Sequence, residues 1–124
     1  MFTLLAFYSN WSLLIVRIVL GVIFVAHGWP KLKNLKATSA GFSKMGFKPG
    51  VFWGPLVALV EFFGGLALIA GFYVQPVALI FIGEFFVINL WKIFKRQPLV
   101  GGWEFDLLIL AVAISLLTLG GGGF

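Results

Sequence analysis

The 124-residue sequence has no cysteine and a single histidine, His27. The lack of cysteine excludes disulfides, thiol redox chemistry, Cys-ligated zinc and Cys-ligated iron–sulfur clusters on this chain. With one histidine, two histidines of the same chain cannot ligate a haem iron. We therefore expect no intrinsic electron-carrying cofactor.

Charged residues are also scarce. Only 10% of the residues are charged and 61% are hydrophobic, and the mean hydropathy is +1.10. A typical soluble domain is about 25% charged and about 45–50% apolar. A soluble fold of this size cannot bury so much apolar surface, so lipid is the expected solvent for most of the chain.

The apolar residues fall into four runs, each near the roughly 20 residues that a membrane-spanning helix needs. The predicted spans are residues 11–28, 54–72, 75–94 and 102–120. All five tryptophans stand at ends of these spans, where an indole ring can lie among the lipid headgroups. The sequence predicts one all-α domain over residues 1–124, a four-helix transmembrane bundle.

Basic residues indicate the orientation of the bundle. The connection at residues 30–53 carries five lysines and the connection after span three carries three basic residues, whereas the other connection and both ends carry none. By the positive-inside rule, the helices should run up-down-up-down with both termini non-cytoplasmic. Residues 30–53 should then lie along the cytoplasmic interface. The net charge of +5 predicts attraction to lipid headgroups and gives no reason to expect nucleic-acid binding.

Three charged residues fall at middle depth in the predicted spans: Arg17, Glu61 and Glu84. An ionisable side chain there costs between about 2.5 and well over 10 kcal/mol unless it finds a partner inside the bundle. Arg17 keeps its proton at any accessible pH, so it needs an acceptor. Our hypothesis is a bidentate pair between Arg17 and one glutamate. The other glutamate should often be protonated, because the three groups together would carry an excess negative charge.

A second level of polar side chains is expected at the cytoplasmic boundary, formed by His27, Asn89, Glu104 and Asp106 near Lys31. His27 is the best-placed proton donor of this level, although a boundary hydrogen-bonding role is the plainer interpretation. For Glu104 and Asp106, stabilisation of the start of the last helix is favoured over metal ligation. No metal site is expected.

Helical spacing places these polar groups on faces rich in small residues. The predicted inward faces are Arg17, Gly21, Phe24 and Gly28 on span one; Glu61, Gly64, Gly65 and Leu68 on span two; and Glu104, Leu108, Ala111, Ser115 and Thr118 on span four. Small residues let helices approach closely, and hydroxyls can bond across the interface. We therefore expect these faces to point into the bundle.

The order of these residues resembles the DoxX family of small four-helix membrane proteins. The shared pattern is Arg17-(x)3-Gly21-(x)2-Phe24-(x)2-His27-Gly28-(x)2-Lys31, then Phe42 and Gly46, then Glu61-(x)2-Gly64-Gly65-(x)5-Gly71, then Ala78 and Gly102-Trp-Glu104. The likeness covers almost the whole chain. It departs at Gln75, where a basic residue is expected, and at the C-terminus, which lacks a polar tail.

The resemblance implies a protein of the bacterial or archaeal cytoplasmic (inner) membrane. It also implies a link to quinone-dependent oxidoreductases, among them a thiosulfate:quinone oxidoreductase, or to stress-associated membrane redox complexes. A quinone is the candidate ligand on this interpretation. The candidate partners are a soluble or membrane redox protein and a second copy of the chain.

Three functions remain open from the sequence. The first is a quinone- or lipid-binding accessory subunit of a membrane oxidoreductase system, and the second is a scaffold in which the buried charges are only structural. The third, a small proton or solute transporter, ranks last because few polar groups lie beyond Arg17 toward the outer face. No catalytic residue is assigned. The candidate ligand- or proton-handling residues are Arg17, His27, Lys31, Glu61, Glu84, Asn89 and Glu104.

Overall fold

The computed structural model describes residues 8–120, and in that range it contains five α-helices and no strand. The helices are α1, Ser9–Lys33; α2, Leu35–Lys44; α3, Gly50–Ala70; α4, Val74–Phe94; and α5, Glu104–Leu119. Four stretches are long and apolar enough to cross a membrane: α1, α3, α4 and Leu99–Leu119, which joins a short irregular turn to α5. The predictions of an all-helical chain and of four membrane-capable helices are confirmed for residues 8–120.

The long basic connection is largely helical. Helix α1 continues through Pro30 beyond the apolar run, and α2 then occupies the middle of residues 30–53. Asn34 caps α2, because its side-chain oxygen accepts a hydrogen bond from the backbone N–H of Ala37 at 3.1 Å. Gly46, with φ +97°, follows the end of α2. The connection at residues 30–53 is therefore built on a defined helix, and its place at the membrane interface stays a prediction.

The chain divides into two compact units, which we describe separately. The central unit is Ile18–Ala70, and the terminal unit comprises residues up to Arg17 and from Gly71 onward. In the central unit, α1 and α3 meet at Gly21 and Gly65. A methyl group on Gly21 would lie 2.6 Å from the Gly65 carbonyl oxygen, and one on Gly65 would lie 2.7 Å from the Gly21 oxygen. The two backbones are therefore in direct contact.

Helix α2 packs on the first turns of α3, also through glycines. A methyl group on Gly54 would lie 3.0 Å from the Cα atom of Ser39. The hydroxyl of Ser43 accepts a hydrogen bond from the backbone N–H of Gly50 at 3.2 Å. Because both contacts involve backbone atoms of α3, α2 is fixed on α3 within the central unit.

In the terminal unit, α4 and α5 pack against each other, and the contacts at their two ends show that they run in opposite directions. Near the start of α4, Gln75 Nε2 donates a hydrogen bond to the carbonyl oxygen of Leu117 at 2.8 Å. Near the end of α4, Lys92 bonds to Asp106 at the start of α5. The buried apolar residues are Ala78, Phe81 and Phe85 on α4, and Ile109, Ala113 and Leu116 on α5. Polar contacts at both ends therefore fix the register of this helix pair.

The predicted inward face of the last helix is wrong. Its members, Glu104, Leu108, Ala111, Ser115 and Thr118, are all exposed. The hydroxyls of Ser115 and Thr118 donate to the carbonyl oxygens of Ala111 and Ile114 on the same helix, at 3.2 and 3.1 Å. They therefore need no partner on another helix. The predicted inward faces of the first two spans are confirmed, with Gly64 half-buried and the other members buried.

Candidate functional site

The buried side chain of Glu61 meets Lys31. Lys31 Nζ donates a hydrogen bond to Glu61 Oε1, and the two groups form an ion pair within the central unit. The Glu61 side chain is 3% exposed and the Lys31 side chain is 33% exposed. The lysine therefore links a carboxylate in the interior to the surface of the unit.

The close approach of α1 and α3 makes this pair possible. On α3, Glu61 shares a buried face with Ala58, Gly65 and Leu68, at helical spacing. On α1, Gly28 precedes Lys31 by about one turn, and a methyl group on Gly28 would lie 2.6 Å from the backbone nitrogen of Phe62. Because no side chain separates the helices there, the long stem of Lys31 can reach the Glu61 carboxylate.

His27 stands about one turn before Lys31 on α1. It is exposed, and its Nδ1 lies 2.8 Å from the carbonyl oxygen of Ile23. A carbonyl oxygen only accepts, so Nδ1 is the protonated nitrogen in this bond. Proton exchange between His27 and a ligand would therefore take place at Nε2.

Arg17 lies in the terminal unit, next to the turn that follows α3. The residue is 4% exposed, and a methyl group on Gly71 would lie 2.9 Å from Arg17 Nη1. Gly71 also has φ +77°, a conformation that favours glycine. The backbone of Gly71 therefore lies so close to the Arg17 guanidinium that a side chain at position 71 would contact it. The bidentate pair of Arg17 with a glutamate stays a prediction.

Glu84 and Asn89 both lie on α4. Glu84 is half-buried, and Asn89 is 5% exposed. Asn89 Nδ2 donates to the carbonyl oxygen of Phe85 at 2.7 Å, and its buried Oδ1 has no hydrogen-bond partner among residues 8–120. Leaving a buried acceptor unpaired costs about 1–3 kcal/mol. The Oδ1 atom of Asn89 can therefore accept a hydrogen bond from a ligand that carries a donor.

A second ion pair, which the sequence did not predict, joins α4 to α5. Lys92 Nζ donates to the carboxylate of Asp106, whose side chain is largely buried. Glu104, the predicted candidate, is exposed instead, and its Oε1 accepts from the backbone N–H of Gly101 at 3.1 Å. This bond closes the irregular turn before α5. The missed signal is that Asp106, unlike Glu104, is in helical phase with the buried Ile109.

Of the seven predicted candidates, Lys31 and Glu61 form a direct contact, and His27 lies about one turn away on the same helix. Glu104 lies in the terminal unit and closes a turn. Within residues 8–120, no three His, Asp or Glu side chains converge as a metal site would require. The clearest candidate site is therefore the Lys31–Glu61 pair.

The chain is similar to known proteins. The sequence model of the DoxX family matches residues 12–92, more than half of the chain. A Bacillus subtilis (strain 168) protein named "Putative oxidoreductase CatD" is 29% identical over 111 residues, covering 86% of this chain and 78% of that protein.

A second relative is the Escherichia coli (strain K12) protein named "Inner membrane protein YqjF". It is 40% identical over 68 residues, covering 55% of this chain and 51% of that protein, so the match spans about half of its length. No solved structure matches. The family match contains both Lys31 and Glu61 and ends before Glu104.

Proposed function

Since the chain belongs to the DoxX family, we propose that it is an accessory, ligand-binding subunit of a membrane oxidoreductase system. The proposed ligand is a quinone or a lipid, and the electron-carrying group is on a soluble or membrane partner protein. The similarity to a relative that carries the name oxidoreductase supports this assignment. So does the composition, because a chain with no cysteine and one histidine has few ways to hold an electron carrier of its own.

The proposed setting is the bacterial or archaeal inner membrane. The four membrane-capable helices would form an up-down-up-down bundle with both termini on the non-cytoplasmic side. Two features support this setting: the concentration of basic residues in alternate connections, and the similarity to a protein named as an inner membrane protein.

The Lys31–Glu61 pair is the observation that carries the proposal. A quinone, when bound, would take up two electrons from the partner's donor centre together with two protons. Lys31 offers N–H donors to a ligand oxygen, and its bond to the Glu61 carboxylate holds the ammonium group in place. Because the Lys31 side chain is one-third exposed, it can regain a proton from water. His27 is a second proton donor about one turn away.

A scaffold function is the second candidate, and the glycine contact of α1 with α3 favours it. Gly65 lies on the same buried face as Glu61 and is already in contact with α1. On this interpretation, the ion pair only fixes the relative position of the two helices. Wild-type protein would then carry no small ligand at this face.

The first test is native mass spectrometry of protein gently extracted from its own membrane. Wild type would be compared with Glu61→Gln, which keeps the side-chain shape and removes the negative charge. Glu104→Gln is the matched control, because it removes an exposed carboxylate whose bond is to the nearby Gly101. Far-UV circular dichroism would establish that all three proteins retain their helices.

We expect a quinone-sized mass on wild type and on Glu104→Gln, and its loss from Glu61→Gln. Loss from both variants would show that the ligand responds to general charge or stability, and would contradict a site at Lys31 and Glu61. A bare chain from wild type, or one that carries only a partner protein, would favour the scaffold.

A further inference from the structure

We propose that the exposed side of α2 and its flanking residues forms a binding site for the phosphate of an anionic phospholipid. The lysine face consists of four exposed residues of the central unit: Lys33, Lys36, Lys44 and Lys48. This site is independent of the Lys31–Glu61 pair and of any redox function.

No exposed acidic group compensates the lysine face within the central unit. The sole acidic residue of Ile18–Ala70 is Glu61, which is buried and already paired with Lys31. The four lysines therefore add four positive charges to the surface of the central unit, and no exposed carboxylate of that unit offsets them. Clusters of basic residues on an amphipathic helix at a membrane surface attract anionic headgroups.

Exposed apolar side chains lie close to the lysine face along the chain. Leu35 begins α2, and Val51, Phe52 and Trp53 lie in the first turn of α3; all four are exposed. An amphipathic segment with lysines beside aromatic and aliphatic residues is typical of helices that lie in the membrane interface. The apolar groups suit the acyl boundary, and the lysines suit the phosphate level.

The lysine face stands on a fixed support. The hydroxyl of Thr38 lies 2.9 Å from the carbonyl oxygen of Asn34 and 3.1 Å from that of Lys31, and it shares its one hydrogen between them, so α2 starts against the end of α1. Ser43 and Gly54 hold α2 on α3, as described above. Because the backbone beneath the lysines is already ordered, binding a headgroup costs less conformational entropy than it would on a flexible loop.

The other basic connection, in the terminal unit, is less suited to an anion. Lys92 is bonded to Asp106, whereas none of the four lysines of the lysine face is in either of the ion pairs found among residues 8–120. A tryptophan ring does not distinguish the two regions, because Lys95 lies 5.9 Å from the Trp91 ring and Lys33 lies 5.7 Å from the Trp29 ring. The exposed carboxylate of Glu104 offsets part of the remaining charge. This connection supplies a control in which the same number of positive charges can be removed elsewhere.

The test is native mass spectrometry of the full chain exchanged into equal amounts of phosphatidylglycerol and phosphatidylethanolamine. The variants are Lys36→Gln with Lys44→Gln on the lysine face, and Lys95→Gln with Arg96→Gln as the charge-matched control. All four side chains are exposed, so we expect both variants to fold, and circular dichroism would verify their helix content. Inorganic phosphate would be added in a parallel arm to detect capture of a free anion.

We expect wild type and the control to retain phosphatidylglycerol over phosphatidylethanolamine. The lysine-face variant should lose this preference by about fivefold for each lysine removed. Equal losses in the two variants would overturn the proposal, because they would show a response to net charge. No preference in wild type, or full displacement of the lipid by inorganic phosphate, would overturn it as well.

Discussion

Replacing Gly65 with alanine should separate α1 from α3. The new methyl group would lie 2.7 Å from the Gly21 carbonyl oxygen and 2.9 Å from the Val25 backbone nitrogen. Both neighbours are backbone atoms, so no side-chain rotation can make room. Ordinary van der Waals contact begins at 3.4 Å, and 3.4 − 2.7 gives a local displacement of about 0.7 Å.

A gap of this size weakens the contacts on both sides of the substitution. A radial gap of about 0.5–1 Å forfeits roughly a quarter to a half of each dispersion contact. Extra methyl groups in packed interiors typically cost about 1–3 kcal/mol, and we expect Gly65→Ala to fall in that range. Gly21→Ala meets the same contact from the opposite helix. The double variant should therefore cost less than the sum of the two single changes.

Gly83→Ala is the matched control. Gly83 lies within α4, and a methyl group there would have nothing within 4 Å. Alanine should be neutral there or stabilise the helix by up to about 1 kcal/mol. The assay is thermal unfolding in detergent followed by far-UV circular dichroism, with Gly65→Ala expected to unfold first. If Gly65→Ala is as stable as Gly83→Ala, then the backbone contact between α1 and α3 is refuted.

Two further predictions concern the terminal unit. Asp106→Asn should destabilise the fold by about 1–3 kcal/mol, below the usual cost of breaking a fully buried pair because Lys92 remains partly solvated. Glu104→Gln should cost less, since its carboxylate is exposed, and equal unfolding midpoints for the two variants would contradict this ranking. Gln75→Leu should remove the bond to Leu117 and cost about 0.5–1.5 kcal/mol. Unchanged hydrogen exchange near the end of α5 would argue against that bond.

The sequence was sufficient to predict the four membrane-capable helices because their signal is local, whereas it did not predict α2. Long apolar runs predicted the four membrane-capable stretches. Helical spacing also identified the buried faces of α1 and α3, since glycine and buried charge recur there in phase. On α5, the same reasoning failed because it followed small and hydroxyl residues. Ser115 and Thr118 satisfy their hydroxyls within their own helix, so polarity did not indicate the packed side.

The contacts of the charged groups were harder to predict because side-chain reach is not local information. Counting residues along the predicted spans placed Lys31 at the membrane boundary and Glu61 at middle depth, so the two were not expected to meet. The structure joins them because two glycine contacts bring α1 and α3 together and the lysine stem is long. The predicted depths of Asp106 and Glu104 are similar, so they gave no reason to expect that Asp106 is the one that pairs with Lys92.

The contact of Gly71 with Arg17 has a practical consequence for measuring topology. The turn after α3 is the shortest connection between membrane-capable helices, yet a side chain at Gly71 would have to adopt a φ of +77° and push the Arg17 guanidinium aside. A reporter inserted there would displace the guanidinium and report on a disturbed molecule. Lys48 is exposed, and the neighbouring Gly46 has open space around it. The chain contains no native cysteine, so a cysteine that replaces Lys48 would give labelling without background. A thiol reagent that cannot cross the membrane, added to one side and then to the other, would show which side this residue faces.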